Sequence, residues 1–256
     1  MKKTLKTILQ NSIDEKKYIF KYPITTFKYY DNANFLLVDN VEENKNMEED
    51  YNQNICDYNV ERDIERYLEE YNDENTVNNY TKKIYILGGL CQKDKKEIYS
   101  ELKKIREFAK KVGVKEIALE LPVKYVLENS IRELKKHGVK EIILSTISLD
   151  DEILEKNGLN YGYKEITKAV FKIALSFMKM SLSIIIGLSN DEKEELKSVY
   201  KAKELKPKTM IFIQNIVLKG TENAKKFVRG NLKMLSVEEN KNLIEKATKM
   251  LLEKKI

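Results

Sequence analysis

The 256-residue chain has only two cysteines, Cys56 and Cys91, and a single histidine, His137. Two cysteines exclude a disulfide framework and fit a reducing cytoplasm. One histidine narrows the choice of base for any activated nucleophile. No stretch approaches the roughly 18 uncharged apolar residues of a membrane span. The opening MKKTLKTILQNSIDEKKYIF has a basic end but neither a long apolar segment nor a small-residue cleavage site, so secretion is not expected. The expectation is a cytoplasmic protein with no membrane partner, long enough to bury a large core as one barrel-sized domain.

Charge is plentiful but uneven. Glu42 to Glu74 holds thirteen acidic residues against three basic ones, a local charge of −10, which leaves +16 on the rest of a chain whose net charge is +6. Much of the lysine alternates with glutamate on helical stretches such as EIYSELKKIREFAKK, the pattern of a solvated face. An RNA- or phosphate-binding face is the other reading of that excess.

The clearest part of the chain is Ser181 to Thr221. An apolar β-branched run, Leu182 to Leu188, predicts a strand buried on both faces. Ser189 and Glu192 have capping-box spacing, and Leu196, Val199, Tyr200 and Ala202 give the following helix its core face. Met210 to Leu218 is the next strand. Strand, helix and strand with short joins imply parallel strands and a right-handed crossover.

Upstream, Lys83 to Leu87 predicts a strand that runs into Gly88-Gly89, and Ile98, Leu102, Ile105, Phe108, Ala109 and Val112 mark a helix face. The segments KKVGVKEIALEL (110–121) and KKHGVKEIILST (135–146) repeat at a 25-residue offset, each a helix end, a glycine and a rising strand. One helix with Val126, Leu127, Ile131 and Leu134 inward is expected between them, and a long helix from about Tyr163 to Met180 carrying Ile166, Val170, Ile173 and Phe177. Ser236 and Glu239 form another capping box before a last helix bearing Leu243, Ala247 and Leu251. Residues 1–80 read as an N-terminal region with one barrel strand (Tyr18 to Thr25 or Phe35 to Val38), a polar acidic loop at 39–59 and a helix from Val60 to Tyr71. Residues 81–256 supply the remaining αβ units. The expected fold is α/β, a partial (β/α)6 TIM-like barrel of parallel strands with outer helices.

Four motifs carry a resemblance. LDDEIL (149–154), GLSNDEKEEL (187–196), VLKGT (217–221) and RGNLKMLSVEE (229–239) stand in this order, with Gly88-Gly89 after the second strand. The series resembles the radical SAM superfamily, nearest the Elongator catalytic-subunit type and the oxygen-independent coproporphyrinogen oxidases, over roughly residues 80–256. That resemblance implies a six-stranded partial barrel holding a [4Fe-4S] cluster on a C-x-x-x-C-x-x-C motif, with S-adenosylmethionine cleaved at the cluster. Two cysteines, 35 positions apart, cannot supply three thiolates at that spacing, so the cluster is not expected and no metal ligands are assigned. YNQN (51–54) is a weak counterpart to the end of the cluster loop. Further departures are Leu90-Cys91-Gln92 after Gly88-Gly89, Glu120-Leu121-Pro122-Val123, Thr146-Ile147-Ser148 and Leu159-Asn160-Tyr161-Gly162. Each falls at or just after a strand end, where barrel enzymes do chemistry.

By this resemblance Gly88, Gly89, Ser148, Gly187 and Leu188 are the candidate cofactor-binding residues, with S-adenosylmethionine the candidate ligand. Glu120 and Lys219 are the candidate acid–base pair, or a salt bridge filling a vacated site, and Ser145, Gln214 and Asn215 are expected at the same mouth. His137, before Gly138, is expected at a helix end on the strand-entry side, and Cys91 as a small part-buried side chain. Three functions follow: a non-catalytic binding or regulatory barrel, with a small molecule or protein as partner; an enzyme still binding S-adenosylmethionine or a nucleotide for polar chemistry; or an RNA-binding module, since tRNA is the substrate of Elongator-type relatives.

Overall fold

A computed structural model describes residues 24–28, 83–87, 89–92, 94–111, 114–189, 191–215, 227–231 and 233–252. Its six strands are β1 (Ile24–Lys28), β2 (Lys83–Leu87), β3 (Glu116–Pro122), β4 (Val139–Ser145), β5 (Lys179–Ile186) and β6 (Met210–Gln214). They form one sheet in sequential order with every pairing parallel. The sheet curls into a partial barrel with helices outside, as the αβ repeat predicts.

The helices among the described residues are α1 (Lys95–Lys111), α2 (Val123–Glu128), α3 (Arg132–Lys136), α4 (Asp151–Lys156), α5 (Tyr163–Leu175), α6 (Glu192–Leu205) and α7 (Val237–Leu252). Gly89–Gln92 makes a single 3-10 turn. None of these helices is long and apolar enough to cross a membrane.

Alternation along the strands divides the core in two. Ile84, Ile86, Ile117, Leu119, Leu121, Ile142, Leu144, Leu182, Ile184 and Ile186 point outward and are buried beneath the helices. Ile98, Leu102, Ile105 and Phe108 of α1 meet them as the i, i+4, i+7 pattern requires. Each such aliphatic side chain contributes about 1.5–3 kcal/mol when fully buried.

The inner face is different in kind. Glu141 is fully buried there. Its carboxylate accepts from the Lys83 ammonium, from Ser181 Oγ at 2.6 Å and from Lys208 Nζ at 3.3 Å. Lys208 also lies 3.5 Å from Glu116, which accepts from Lys179. One cluster therefore ties β2, β3, β4, β5 and the entry to β6 at the strand-entry end of the barrel. Burial alone would raise the Glu141 pKa, but Lys83, Ser181 and Lys208 outweigh it and hold the carboxyl below its usual value. Just above, burial and the Glu141 charge push the Tyr85 phenol up to about 12.

Several local expectations are corrected. The N-terminal strand is Ile24–Lys28, overlapping only the end of Tyr18 to Thr25; Phe35 to Val38, the loop at 39–59 and the helix at 60–71 lie outside the described residues. The single helix expected after β3 is two, because the chain turns at Asn129 and Ser130 between α2 and α3. Helix α5 stops at Leu175, not Met180, and Phe177, now beyond the helix, is 81% exposed. Ser176 Oγ bonds back to the Lys172 carbonyl, and Phe177 turns left-handed at φ 53°, which brings Lys179 into register with Glu141. That conformation costs a non-glycine residue about 1–2 kcal/mol.

The cap of α6 is also reassigned. Asp191 accepts from Lys193 N at 2.8 Å, while Ser189 Oγ donates to Glu194 at 2.6 Å. The Ser236–Glu239 box before α7 is present as read, with Ser236 N donating to Glu239 at 2.7 Å and Glu239 N to Ser236 Oγ at 3.2 Å. Gly138 takes φ 96° after α3, the turn that the repeat requires there. His137 lies at that helix end, stacked on Tyr99 with ring centroids 4.2 Å apart.

The Glu141 cluster generates a prediction. Glu141→Gln should destabilise the protein by roughly 3 kcal/mol, because it leaves Lys83 part-buried without its counter-charge. The lysines around Glu116 and Glu141 hold both folded carboxyls below the ordinary carboxylate range. Their stabilisation is therefore full above that range and is lost as pH falls through the lowered values. Urea denaturation from pH 7 to pH 3 should show wild-type stability falling more steeply than that of Glu141→Gln; parallel curves would remove Glu141 from the account.

Candidate functional site

Level with the ionic cluster the inner face carries Ala118 and Ser181; above it stand Glu120 from β3, Ile143 and Ser145 from β4, and Ser183 and Ile185 from β5. The register sets Ala118 beside Glu141, Glu120 beside Ile143, Ile143 beside Ser181, and Ser145 beside Ser183. Packed barrels fill this space with bulky branched side chains. Here Glu120, Ser145 and Ser183 stand in it alongside Ile143 and Ile185. Glu120 is 2% exposed, and Ser183, fully buried, has an Oγ with no hydrogen-bond partner among the described residues. This wall offers a buried carboxylate and hydroxyls near the C-terminal ends of the strands.

The turns beyond those ends are occupied by the protein's own groups. After β4, Ser148 Oγ lies 2.5 Å from Ser198 Oγ of α6, and Ser198 Oγ accepts from Leu149 N at 2.8 Å. Asp150 N donates to Ser148 Oγ at 3.1 Å. Asp150 in turn caps α4, accepting from Glu152 N at 3.1 Å and Ile153 N at 3.4 Å. Asp151 accepts from Tyr163 N at 2.7 Å at the start of α5. A Cβ on Gly162 would come 2.6 Å from Asp151 Oδ1, so Gly162 is where that carboxylate passes the backbone. The LDDEIL segment thus holds two helix starts, with Leu149, Ile153 and Leu154 in the core.

After β5, Gly187 adopts φ 89°, and the amides of Gly187, Leu188 and Ser189 form an anion-binding concavity. Glu195 of α6 fills it, accepting from Ser189 N and drawing on the other two amides. Burial raises the Glu195 pKa, and these three amides work against the rise. Asn215, just past β6, donates from Nδ2 to the Gly187 carbonyl at 3.0 Å. A Cβ at Gly187 would meet Leu235 at 3.3 Å and Asn240 Oδ1 at 3.4 Å, so the α7 segment closes on this turn.

Of the residues singled out in the sequence, Glu120 and Ser145 share the inner wall. Ser148 is bonded to α6, and Gly187 packs against the Leu235–Asn240 segment, with Leu188 half-buried against the core. Gly89 opens the 3-10 turn, and Gln214 ends β6 half-buried. Gly88, Lys219 and Cys56 lie outside the described residues, so the Glu120–Lys219 pair is not described. Cys91 is part-buried against the core, as expected of a small side chain.

Sequence reading passed over Ser181, Ser183, Glu141 and Glu195. The first two sit two apart in SLSIII, and polar residues at strand period within an apolar run were the available signal for an inner face. Glu195 carried none, because a glutamate in EKEEL reads as surface.

The chain has two cysteines, of which Cys91 alone is described, and among the described residues no group of three or more His, Cys, Asp or Glu is placed to hold a metal ion.

No family model matches the sequence, and no curated protein matches it either. Solved structures do. The archaeal Methanocaldococcus infernus Elp3 with an N-terminal deletion superposes with a TM-score of 0.66 at 15% identity, over 90% of this chain and 54% of that one. Methylornithine synthase (PylB) gives 0.50 at 12% identity, over 66% of this chain and 48% of that one. The Escherichia coli coproporphyrinogen III oxidase HemN, a radical SAM enzyme, gives a looser 0.47 at 10% identity, over 97% of this chain and 56% of that one. The chain spans about half the length of these structures. The partial α/β barrel is the fold that the chain shares with the Elp3 and PylB structures.

Proposed function

We propose that the chain is a degenerate radical SAM-like barrel that forms no [4Fe-4S] cluster and works as a non-catalytic binding or regulatory barrel for a small polar molecule. The observation that carries this reading is the inner wall: Glu120, Ser145 and the fully buried Ser183 hydroxyl, which has no hydrogen-bond partner among the described residues, stand where a packed barrel has aliphatic side chains. A hydroxyl kept there without a partner costs about 1–3 kcal/mol, which a hydrogen-bonding occupant would recover.

The turns add support. The segments that resemble cofactor-binding loops are engaged in capping and packing here: LDDEIL starts two helices, Ser148 binds Ser198, and Glu195 occupies the turn after β5. Those duties explain why such motifs persist in a chain with two cysteines.

A second reading, an enzyme that keeps S-adenosylmethionine or a nucleotide for polar chemistry, draws on the same Gly187–Ser189 turn. It requires Glu195 to leave that turn when the ligand arrives.

Two measurements bear on these readings. In a thermal-shift panel of nucleosides, amino acids and S-adenosylmethionine, at least one compound should raise the wild-type Tm and lose its effect in Ser183→Ala. Ser183→Ala alone should match or exceed wild-type stability, by up to about 1 kcal/mol, because it removes an unsatisfied group. A panel without any shift would count against a binding barrel, and a shift by S-adenosylmethionine alone would favour the second reading.

Glu195→Ala should destabilise the protein by roughly 2 kcal/mol, since it strips the acceptor from buried amides. Added sulfate should restore part of that loss by entering the vacated turn, whereas wild-type stability should respond less. Equal responses in the two proteins would show that Glu195 does not occupy the turn in solution.

A further inference from the structure

The 25-residue repeat carries a charge pattern that the barrel interior uses only in part. KKVGVKE (110–116) and KKHGVKE (135–141) have the same order of charges. The glutamate of each copy turns inward, where Lys83, Lys179 and Lys208 take up Glu116 and Glu141. The three lysines of each copy stay outside, and all six are exposed. Each helix that precedes a parallel strand runs from the mouth to the strand-entry end, so α1, α3, α5 and α6 all finish at this face.

Lysines suit helix C-terminal ends, but here they outnumber the acids. Lys110, Lys111, Lys115, Lys140 and Lys206 have no ion-pair partner among the described residues, and Lys135 donates to the Phe177 carbonyl at 3.1 Å rather than to a carboxylate. Glu133 is held by Lys136 at 2.9 Å. That leaves Glu107 and Glu204 as the glutamates near these helix ends that no described lysine holds. Six uncompensated lysines thus face two such glutamates.

Large apolar side chains stand inside this field. Phe177 lies between the α3 lysines and Lys206, 81% exposed, with its backbone left-handed at φ 53°. Leu175 beside it is 56% exposed, and Phe171, 64% exposed, is one helical turn or about 6 Å higher. The acids at the start of α5 are remote from this plane. Asp151 and Glu165 are engaged at Tyr163 N and Lys168, roughly 15–18 Å up the helix from Leu175. That is about two Debye lengths at physiological salt.

We infer that the strand-entry end docks on an anionic phospholipid surface, with the lysines of the two repeats and Lys206 against lipid phosphates and with Phe177 and Leu175 entering the headgroup layer. Four helix ends packed about 8–10 Å apart spread the charge over about 30 Å. A single docked helix, about 10–12 Å across, cannot cover that width. Single-stranded nucleic acid is disfavoured because its bases stack on aromatic faces, which Leu175 does not offer. Such docking needs no spanning helix, and side chains at the tip of the barrel reach interfacial depth while α5 stays fixed in the core through Ile166, Ala169 and Ile173.

The test is flotation of the full chain with extruded vesicles. Vesicles of phosphatidylserine and phosphatidylcholine should carry the protein, less so as salt rises, and phosphatidylcholine alone should not. Lys115→Glu/Lys140→Glu should weaken partitioning at least about tenfold. Lys95→Glu/Lys96→Glu makes the same change of net charge at the exposed mouth end of α1 and should leave partitioning within about twofold. Phe177→Gly should weaken partitioning while Tm holds or rises, since glycine accepts the left-handed conformation; this separates docking from folding. No flotation with phosphatidylserine, equal loss in the two lysine variants, or unchanged partitioning in Phe177→Gly would overturn the inference. So would an RNA that binds through Lys115 and Lys140 in a chain that does not float, which would assign the lysines to nucleic acid.

Discussion

One buried carboxylate organises the strand-entry end of this barrel. Glu141 sits fully buried on the inner face, and its oxygens are shared by Lys83 of β2, Ser181 of β5 and Lys208 before β6. Glu116 of β3 joins through Lys208 and Lys179. A lone carboxylate at that depth would be neutral or would unfold the region, so each cation has to hold its position relative to the others. The strands that carry these groups are fixed in register by the same contacts. An open sheet that does not close on itself has few other ways to keep its inner face ordered at one end. The opposite end is then left to be lined by Glu120, Ser145 and Ser183.

The outer and inner faces were not equally legible from the amino-acid sequence. Aliphatic periodicity marked β2 to β6 and the core face of α1, because burial under helices leaves a regular pattern that a single chain displays; on α6 it marked Val199 and Ala202, while Tyr200, read as inward, is 51% exposed. The repeat at 110–121 and 135–146 placed β3 and β4 in consecutive units, and the capping box at Ser236 is present as read. The inner face was harder. Its polar residues satisfy one another across strands, from Lys83 to Glu141, 58 positions apart, and from Ser181 to Glu141, 40 apart. Partners that distant leave no local signature. The end of α5 was misread for a related reason: Phe177 looks apolar enough to continue a helix, but strand register forces a left-handed turn there and turns the ring outward.

The candidate site was legible in part. Glu120 and Ser145 were placed at the strand ends by counting along strands, and both lie on the inner wall. Ser148 and Gly187 were assigned to a cofactor by resemblance, and in this structure each has a packing partner, Ser198 for one and the Leu235–Asn240 segment for the other. A capping aspartate, a glycine where a carboxylate passes, and a turn filled by Glu195 are requirements of the fold, and they hold whether or not a cofactor binds.

The central claim concerns the cluster, and the most direct measurement is iron bound per chain after anaerobic iron–sulfur reconstitution, read with Mössbauer spectra and with a search for 5'-deoxyadenosine after adding S-adenosylmethionine and a reductant. The account predicts substoichiometric iron without the signature of a [4Fe-4S] centre, and no 5'-deoxyadenosine. A stoichiometric [4Fe-4S] cluster that cleaves S-adenosylmethionine would contradict it.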